Sequence, residues 1–379
     1  MNKRYNELNN NIKKWFKDKS QDKLILQTLY AQCNLEHHTM LNGVQDLRGG
    51  TKFSNLSDEE LVALFSKDPF NSYSQKDLNH LMQEVHNRYI GESNWDVTRM
   101  VYCKSNNPED EGTFGYCCYA DDLLFINKDM IDEAKSADRS QPINAETVGK
   151  YFLDTIWHET KHVIQYEDGI DLALGKEQDP VKAFSAAAMM VMMTNFSIAD
   201  AKHDNAYLYD WRSKYRVHFC EHEANYAALK KSEDNTKPEL KNNYDYQMYA
   251  SDSAALALGF APSTTDDAKN KAAIGNRVNR IESYLKKQIE YFEKGTKDCP
   301  IKQSVMAAIN AYMKEDENGH SMFRDRMTKE VTEIVDTYVV NKRKMEVYDA
   351  QNERGFAKVR TRKNESKKLD REEFLNLVR

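Results

Sequence analysis

The chain has 379 residues, of which 30% are charged, and its formal net charge at pH 7 is −6. Glycine and proline together account for only 21 residues, which argues against a β-sandwich, a barrel or collagen and favours long helices with wide solvated faces. The negative charge gives no general attraction to nucleic acid. The six cysteines include no Cys-x-x-Cys pair, so neither a disulfide framework nor a sulfur-based zinc knuckle is expected.

The N-terminal sequence and the apolar runs bear on localisation. The first residues are polar, with no apolar stretch and no small-residue cleavage site of the kind that a secretory signal carries. The longest uninterrupted apolar run, 186–193, is far shorter than the roughly 18 residues that cross a bilayer. We therefore expect a cytoplasmic protein that does not enter a membrane.

Residues 1–100 carry helix signals without chemical motifs. Ser57 and Glu60 have the spacing of a capping box, and Ser74 is a second candidate N-cap. After a polar loop, aromatic and branched residues between Thr113 and Asn127 predict one or two short strands.

The next segment predicts longer helices. Asn144 is a candidate N-cap for a helix that ends at Asp168-Gly169, and Asp179-Pro180 begins another that runs to Phe196. Further helices are predicted over 206–231, 245–258 and, after a boundary near Gly259, from about 260 to the end. The expected fold is mainly α with a small β component, an α+β chain.

The first predicted helix of this segment contains the only motif with clear chemistry, His158-Glu159-Thr160-Lys161-His162. Four residues along a helix correspond to about 400° of rotation, so both imidazoles leave nearly the same face, spaced to bind one zinc ion. Glu159 lies on a neighbouring face, where its carboxylate can reach a zinc-bound water as a general base without being a ligand. The alternative is that these side chains simply occupy a solvated helix face.

Two histidines leave a zinc site incomplete, so a third ligand has to come from a distant segment. The richest segment is 215–228, where small residues at 224, 227 and 228 would let one helix approach another closely. Spacing alone does not select among its four potential ligands, which are His218, Glu221, His222 and Glu223.

With these motifs, residues 113–230 resemble the zincin metallopeptidases, and specifically the gluzincin branch. The resemblance implies that the third ligand is a glutamate before small residues, which favours Glu223, with Glu221 as the alternative. It also implies that the strand ending at Ile126-Asn127 corresponds to the edge strand that binds an extended peptide in zincins. The acidic residue that thermolysin-like enzymes carry four positions after the glutamate ligand is Ala227 here, so this support for a metal histidine is missing or comes from elsewhere.

The implied function is zinc-dependent hydrolysis of peptide bonds, with Glu159 activating water on a Zn²⁺ held by two histidines and one glutamate. A hydrogen-bond donor for the oxyanion is also needed, and the candidates are Tyr226, Tyr215 and His218. The resulting organisation is a helical region over 1–100, a zincin-like core over 101–260 and a charged helical region over 261–379. The substrate would be a peptide or a protein.

Two other functions remain open at this stage. The chain could be a non-catalytic binding or scaffold protein whose zinc site is structural, closed by a fourth ligand such as His218 or Cys220. Alternatively, the basic tail 341–379, with twelve Lys or Arg against seven Asp or Glu, could bind a nucleic acid, although a solvated helix face explains it better.

Overall fold

The computed structural model describes residues 3–18, 20–33, 50–91, 99–103, 114–118, 123–137, 143–176 and 179–377. Within these ranges the protein is mainly helical with one small sheet, as the composition predicts. The elements are α1 Lys3–Lys17, α2 Lys23–Cys33, α3 Asp58–Ala63, α4 Lys67–Ser72, α5 Gln75–Ile90, β1 Arg99–Cys103, β2 Gly115–Cys118, β3 Leu123–Asn127, α6 Asp129–Ser136, α7 Val148–Ala173, α8 Pro180–Lys202, α9 Asn205–Lys214, a 3-10 helix Tyr215–Val217, α10 Phe219–Asn235, α11 Pro238–Lys241, α12 Tyr244–Leu258, α13 Asp267–Gly295, α14 Pro300–Met313 and α15 Met322–Leu377.

Several local predictions are confirmed. Ser57 and Glu60 form the capping box of α3, Ser74 caps α5, and Asp179 caps α8 with Pro180 at the first helical position. In each case a side-chain oxygen accepts a hydrogen bond from a backbone N–H that the helix leaves without a partner. The predicted helix over 245–258 corresponds to α12.

The bounds of α7 differ from the prediction at both ends. Its N-cap is Thr147, because Asn144 belongs to the preceding turn, where its side chain accepts from the Glu146 backbone N–H at 2.8 Å. Gly169 does not end the helix. A Cβ at this position would lie 3.0 Å from the side chain of Met190 on α8, so the glycine allows two helices to pack closely.

The predicted helix over 206–231 is interrupted. The 3-10 turn Tyr215–Val217 separates α9 from α10. The helix α10 therefore begins at Phe219 and does not continue α9. This break places Tyr215 beside the start of α10, a position that matters for the candidate site.

The sheet has three strands in the order β1-β3-β2. β3 lies in the centre, parallel to β1 and antiparallel to β2, so the expectation that Ile126-Asn127 ends an edge strand is wrong. The edge strand next to α7 is β2. The strand β1 was not expected, since the N-terminal region was predicted to be helical up to residue 100.

Two main apolar clusters hold the structure together. One joins the sheet and α3–α5 to the N-terminal half of α7, and the other surrounds α8 with helices from both ends of the chain. Apolar packing therefore crosses both proposed boundaries, near 100 and near 260. The division into three regions stays a prediction.

The helix α8 is the centre of the larger cluster. Its 23 residues are long and apolar enough to cross a bilayer by length and composition alone, and 67% of its most apolar window is buried inside the protein. The core helix of a globular protein meets the same criterion.

Candidate metal centre

The motif residues lie in the middle of α7, on a helix held firmly from both sides. Ile156 is completely buried and Val163 is 6% exposed, and both anchor the helix in the core. Thr160 lies between the two histidines, donates to the Ile156 carbonyl at 2.6 Å and contacts the buried His86 Nδ1 on α5 at 2.7 Å. The remaining face of α7, which carries His158 and His162, is directed towards α10.

The structure brings Glu221 to this pair of imidazoles. The two Nε2 atoms of His158 and His162 are 3.1 Å apart, and Glu221 Oε2 lies 3.2 Å from the first and 3.4 Å from the second. Among the described residues, this trio is the group of His, Cys, Asp and Glu side chains with the spacing of a metal site. The sequence-level alternative for the third ligand, Glu221, is thus the residue that reaches the histidines.

Glu223, the favoured candidate, does not lie in the cluster. One of its oxygens accepts from Arg326 Nη2 at 2.6 Å, and the other accepts from Gln165 Nε2 at 2.6 Å and from the Ser185 hydroxyl. Two residues along a helix correspond to about 200° of rotation, so the carboxylates of Glu221 and Glu223 leave α10 on nearly opposite sides. Only Glu221 faces the imidazole pair.

Glu159 lies beside the trio and outside it. Its Oε1 is 4.0 Å from His158 Nε2, and its carboxylate accepts a hydrogen bond from the backbone N–H of Cys117 on β2. The hydrogen-bond pattern between β2 and β3 explains why the Cys117 N–H faces Glu159. Since the Asn127 N–H bonds to the Phe114 carbonyl at 2.8 Å, the antiparallel alternation turns the N–H of Cys117 away from β3, towards the outer edge of the sheet.

The carboxylates and imidazoles shift one another's pKa values. Burial acts against charge on His162, but the adjacent Glu221 carboxylate outweighs it and raises the pKa of His162 to about 9. Burial similarly opposes ionisation of Glu221, and the two histidines nevertheless hold its pKa well below the usual range. For Glu159, burial dominates and raises the pKa. The carboxylate of Glu221 thus makes it favourable for the three side chains to hold a positive charge between them.

Polar side chains one helical turn from each histidine, Gln165 and Asp154, border the trio. His162 Nδ1 lies 2.8 Å from Gln165 Oε1, an acceptor that leaves Nε2 directed towards Glu221. Asp154, one turn before His158, accepts hydrogen bonds from Tyr249 and Ser253 of α12, and burial raises its pKa to about 6.

The structure separates the tyrosine candidates. The Tyr226 hydroxyl donates to Glu333 Oε2 on α15 at 2.7 Å, so the structure does not bring this predicted oxyanion donor to the trio. Tyr215 instead lies near the Glu221 carboxylate, and burial together with that carboxylate and Glu159 raises the pKa of Tyr215. The residue is 39% exposed, so its ring borders the solvent. His218 contacts the Trp211 carbonyl through Nε2 at 3.2 Å.

Two contributors to the site were not predicted. Gln165 stands three residues after His162, within one helical turn, and that spacing is a usable signal for a hydrogen-bond partner. Arg326 stands 103 positions after Glu223 in an ordinary charged segment, where no local pattern distinguishes it.

Comparison of the chain with protein-family models, with curated proteins and with solved structures finds no match. Functional interpretation therefore depends on the His-Glu-x-x-His motif and on the geometry around it.

Proposed function

We propose that the protein is a zinc-dependent hydrolase of peptide bonds, with His158, His162 and Glu221 as metal ligands. The observation that carries the proposal is the mutual spacing of their three ligand atoms, 3.1, 3.2 and 3.4 Å. A tetrahedral ion with ligand distances of about 2.0–2.1 Å sets its ligand atoms about 3.3–3.4 Å apart. The three distances in the trio are close to this spacing, so the ligand atoms would move little to bind an ion.

The buried polar atoms of the site also fit a cation. Glu221 Oε2 is buried and has no hydrogen-bond partner among the described residues, although two imidazole nitrogens lie near it. A buried carboxylate oxygen without a partner is costly, and a divalent ion between it and the two nitrogens would satisfy all three atoms.

The number of ligands favours a catalytic site over a structural one. Structural zinc sites have four protein ligands, whereas catalytic sites have three and an open position. Neither Cys220 nor His218, the expected fourth ligands of a structural site, belongs to the described cluster. Glu159 borders it at a distance suited to a base and not to a ligand.

The chain's own groups then have distinct roles in the reaction. A zinc ion bound here would supply Lewis-acid polarisation of the scissile carbonyl and lower the pKa of a water molecule. Glu159 would accept a proton from the attacking water at a carboxylate oxygen and return it to the amine nitrogen as the peptide C–N bond breaks. Burial, which raises the pKa of Glu159, brings this base closer to the working pH. Of the tyrosine candidates, Tyr215 is the one that lies near Glu221, so it is the proposed donor to the oxyanion.

The neighbouring strand supports a peptide as substrate. In the described part of the chain, β2 pairs only with β3, so one edge of β2 is not hydrogen-bonded within the sheet. Cys117 lies on that edge, where its N–H donates to the Glu159 carboxylate, so the edge runs beside the proposed general base. An extended peptide that added to this edge through main-chain hydrogen bonds would pass close to Glu159, the proposed general base.

Metal analysis combined with peptide cleavage tests the proposal. We expect about one zinc per chain in the full-length protein, as a three-ligand site requires, and cleavage of internally quenched peptides. Removal of zinc with 1,10-phenanthroline should abolish cleavage, and added zinc should restore it. A protein that stays metal-free after zinc is supplied, or that cleaves equally well without zinc, would refute the proposal.

A tyrosine pair provides a second prediction. The Tyr215→Phe variant should lower kcat by about 100-fold, the typical effect of losing an oxyanion donor, with zinc content and KM little changed. Tyr226→Phe is the matched control, since its hydroxyl contacts Glu333 and not the trio. Steady-state kinetics of both variants should show the loss only for Tyr215. Equal kcat values for the two variants would exclude Tyr215 from this role.

A further inference from the structure

A chain of buried polar contacts connects α15 to the candidate metal centre. Arg326 donates from Nη2 to Glu223 Oε1 at 2.6 Å and from Nε to Glu330 Oε1 at 2.6 Å. Glu223 is 3% exposed and Glu330 is 4% exposed, so the guanidinium joins two buried carboxylates. Such ions are retained only when they are paired, because burial of an isolated charge is costly.

Arg326 also packs against the helix that carries the third ligand. Its guanidinium carbon lies 5.5 Å from the centre of the Phe219 ring, the first residue of α10, which precedes Glu221 by two positions. The same side chain therefore touches α10 through Phe219 and through Glu223.

The next link in the chain determines the orientation of Gln165. Its Nε2 donates to Glu223 Oε2 at 2.6 Å and to the Cys220 carbonyl at 3.2 Å. An ionised carboxylate and a carbonyl only accept hydrogen bonds, so the amide nitrogen has to face them. The amide oxygen of Gln165 then faces His162.

The final link concerns the proton on His162. Gln165 Oε1 lies 2.8 Å from His162 Nδ1 and can only accept, which requires the proton on Nδ1. A neutral imidazole with that proton has its lone pair on Nε2, the atom directed at Glu221. This is the form in which a histidine binds a metal.

We propose that Arg326 is a positioning residue for the metal centre: by binding Glu223 it orients Gln165, and through Gln165 it selects the metal-binding tautomer of His162. The proposal rests on the zinc site described above and extends it to a helix that contributes no ligand. It makes the long helix α15 part of the site, although the two are distant in sequence.

The test compares zinc affinities of full-length variants, measured by competition with a chromophoric chelator. Gln165→Leu should raise the zinc Kd by about 10- to 100-fold, the usual effect of losing a partner of a metal histidine. Arg326→Gln should raise it by about tenfold, and Arg326→Lys should restore part of the loss. Arg324→Gln is the matched control, because Arg324 lies on the same helix as Arg326 but pairs with Glu282 on α13, outside the chain of contacts. It should leave the Kd unchanged.

Two further measurements separate positioning from a general loss of structure. If Arg326 acts through Gln165, the double variant Gln165→Leu/Arg326→Gln should bind zinc no more weakly than Gln165→Leu alone. In the zinc-loaded wild type, ¹⁵N spectra of labelled histidine should show the His162 proton on Nδ1, and Arg326→Gln should broaden or shift that signal.

Additive effects of the two substitutions, an Arg324→Gln loss equal to that of Arg326→Gln, or an unchanged zinc Kd in Arg326→Gln would overturn the proposal. Because zinc affinity is the readout, a wild type that binds zinc but cleaves no peptide would refute the hydrolase function and leave this test intact. If Arg326→Gln does not fold, the zinc Kd values of Arg326→Lys and Arg324→Lys are compared in its place.

Discussion

The Glu159→Gln variant is expected to lose about 10²- to 10⁴-fold in kcat/KM for peptide cleavage, which is the range for removal of a general base. Glutamine has nearly the same shape, but its amide cannot take up the proton from water. Glu159 also lies beside the trio, with its Oε1 4.0 Å from His158 Nε2.

Zinc content should be unchanged in this variant. Glu233→Gln offers a control for the substitution itself, since Glu233 is a partly exposed partner of Lys230 on α10. It should retain wild-type kinetics. Wild-type cleavage by Glu159→Gln, at zinc occupancy equal to the wild type, would show that Glu159 is not the general base.

The second large effect concerns two glutamates on the same helix. Glu221→Gln is expected to weaken zinc binding by more than the roughly 100-fold that marks the upper range for a partner of a ligand, because it removes a ligand outright. Glu223→Gln should cost at most that amount, since Glu223 acts on His162 through Gln165.

This comparison is unusually well matched. Both carboxylates are buried, at 5% and 3% exposure for Glu221 and Glu223, and the chemical change is identical. Chelator competition gives the two zinc Kd values, and thermal unfolding of the zinc-free proteins shows how far each substitution disturbs the fold. A larger loss of zinc affinity in Glu223→Gln than in Glu221→Gln would reverse the assignment of the third ligand.

The small β component illustrates how far pattern reasoning reaches. Branched and aromatic residues predict strands between 113 and 127, and β2 and β3 lie there. Which of them is the edge strand depends on β1, which pairs with β3 through contacts that are distant in sequence. The resemblance to zincins placed the edge at Ile126-Asn127, whereas the sheet places it at β2.

The third ligand shows the same limit. A stripe of positions 221, 224 and 228 follows the helical spacing i, i+3 and i+7, and Ala228 packs in the apolar cluster that contains α7 side chains. This periodicity would have indicated Glu221. The family pattern of a glutamate directly before alanine favoured Glu223, whose side chain is held by Ser185, Gln165 and Arg326 instead.

The sequence by itself determined what is local: the helical composition, the caps of α3, α5 and α8, and two imidazoles one turn apart with a carboxylate beside them. Those features depend on propensity and on the 3.6-residue repeat, which act over a few residues. Only the tertiary structure decided which glutamate faces the histidines, which tyrosine reaches that glutamate and that α15 contacts the site. Each of these depends on the rotation and packing of helices far apart in the chain, which no short window of sequence contains.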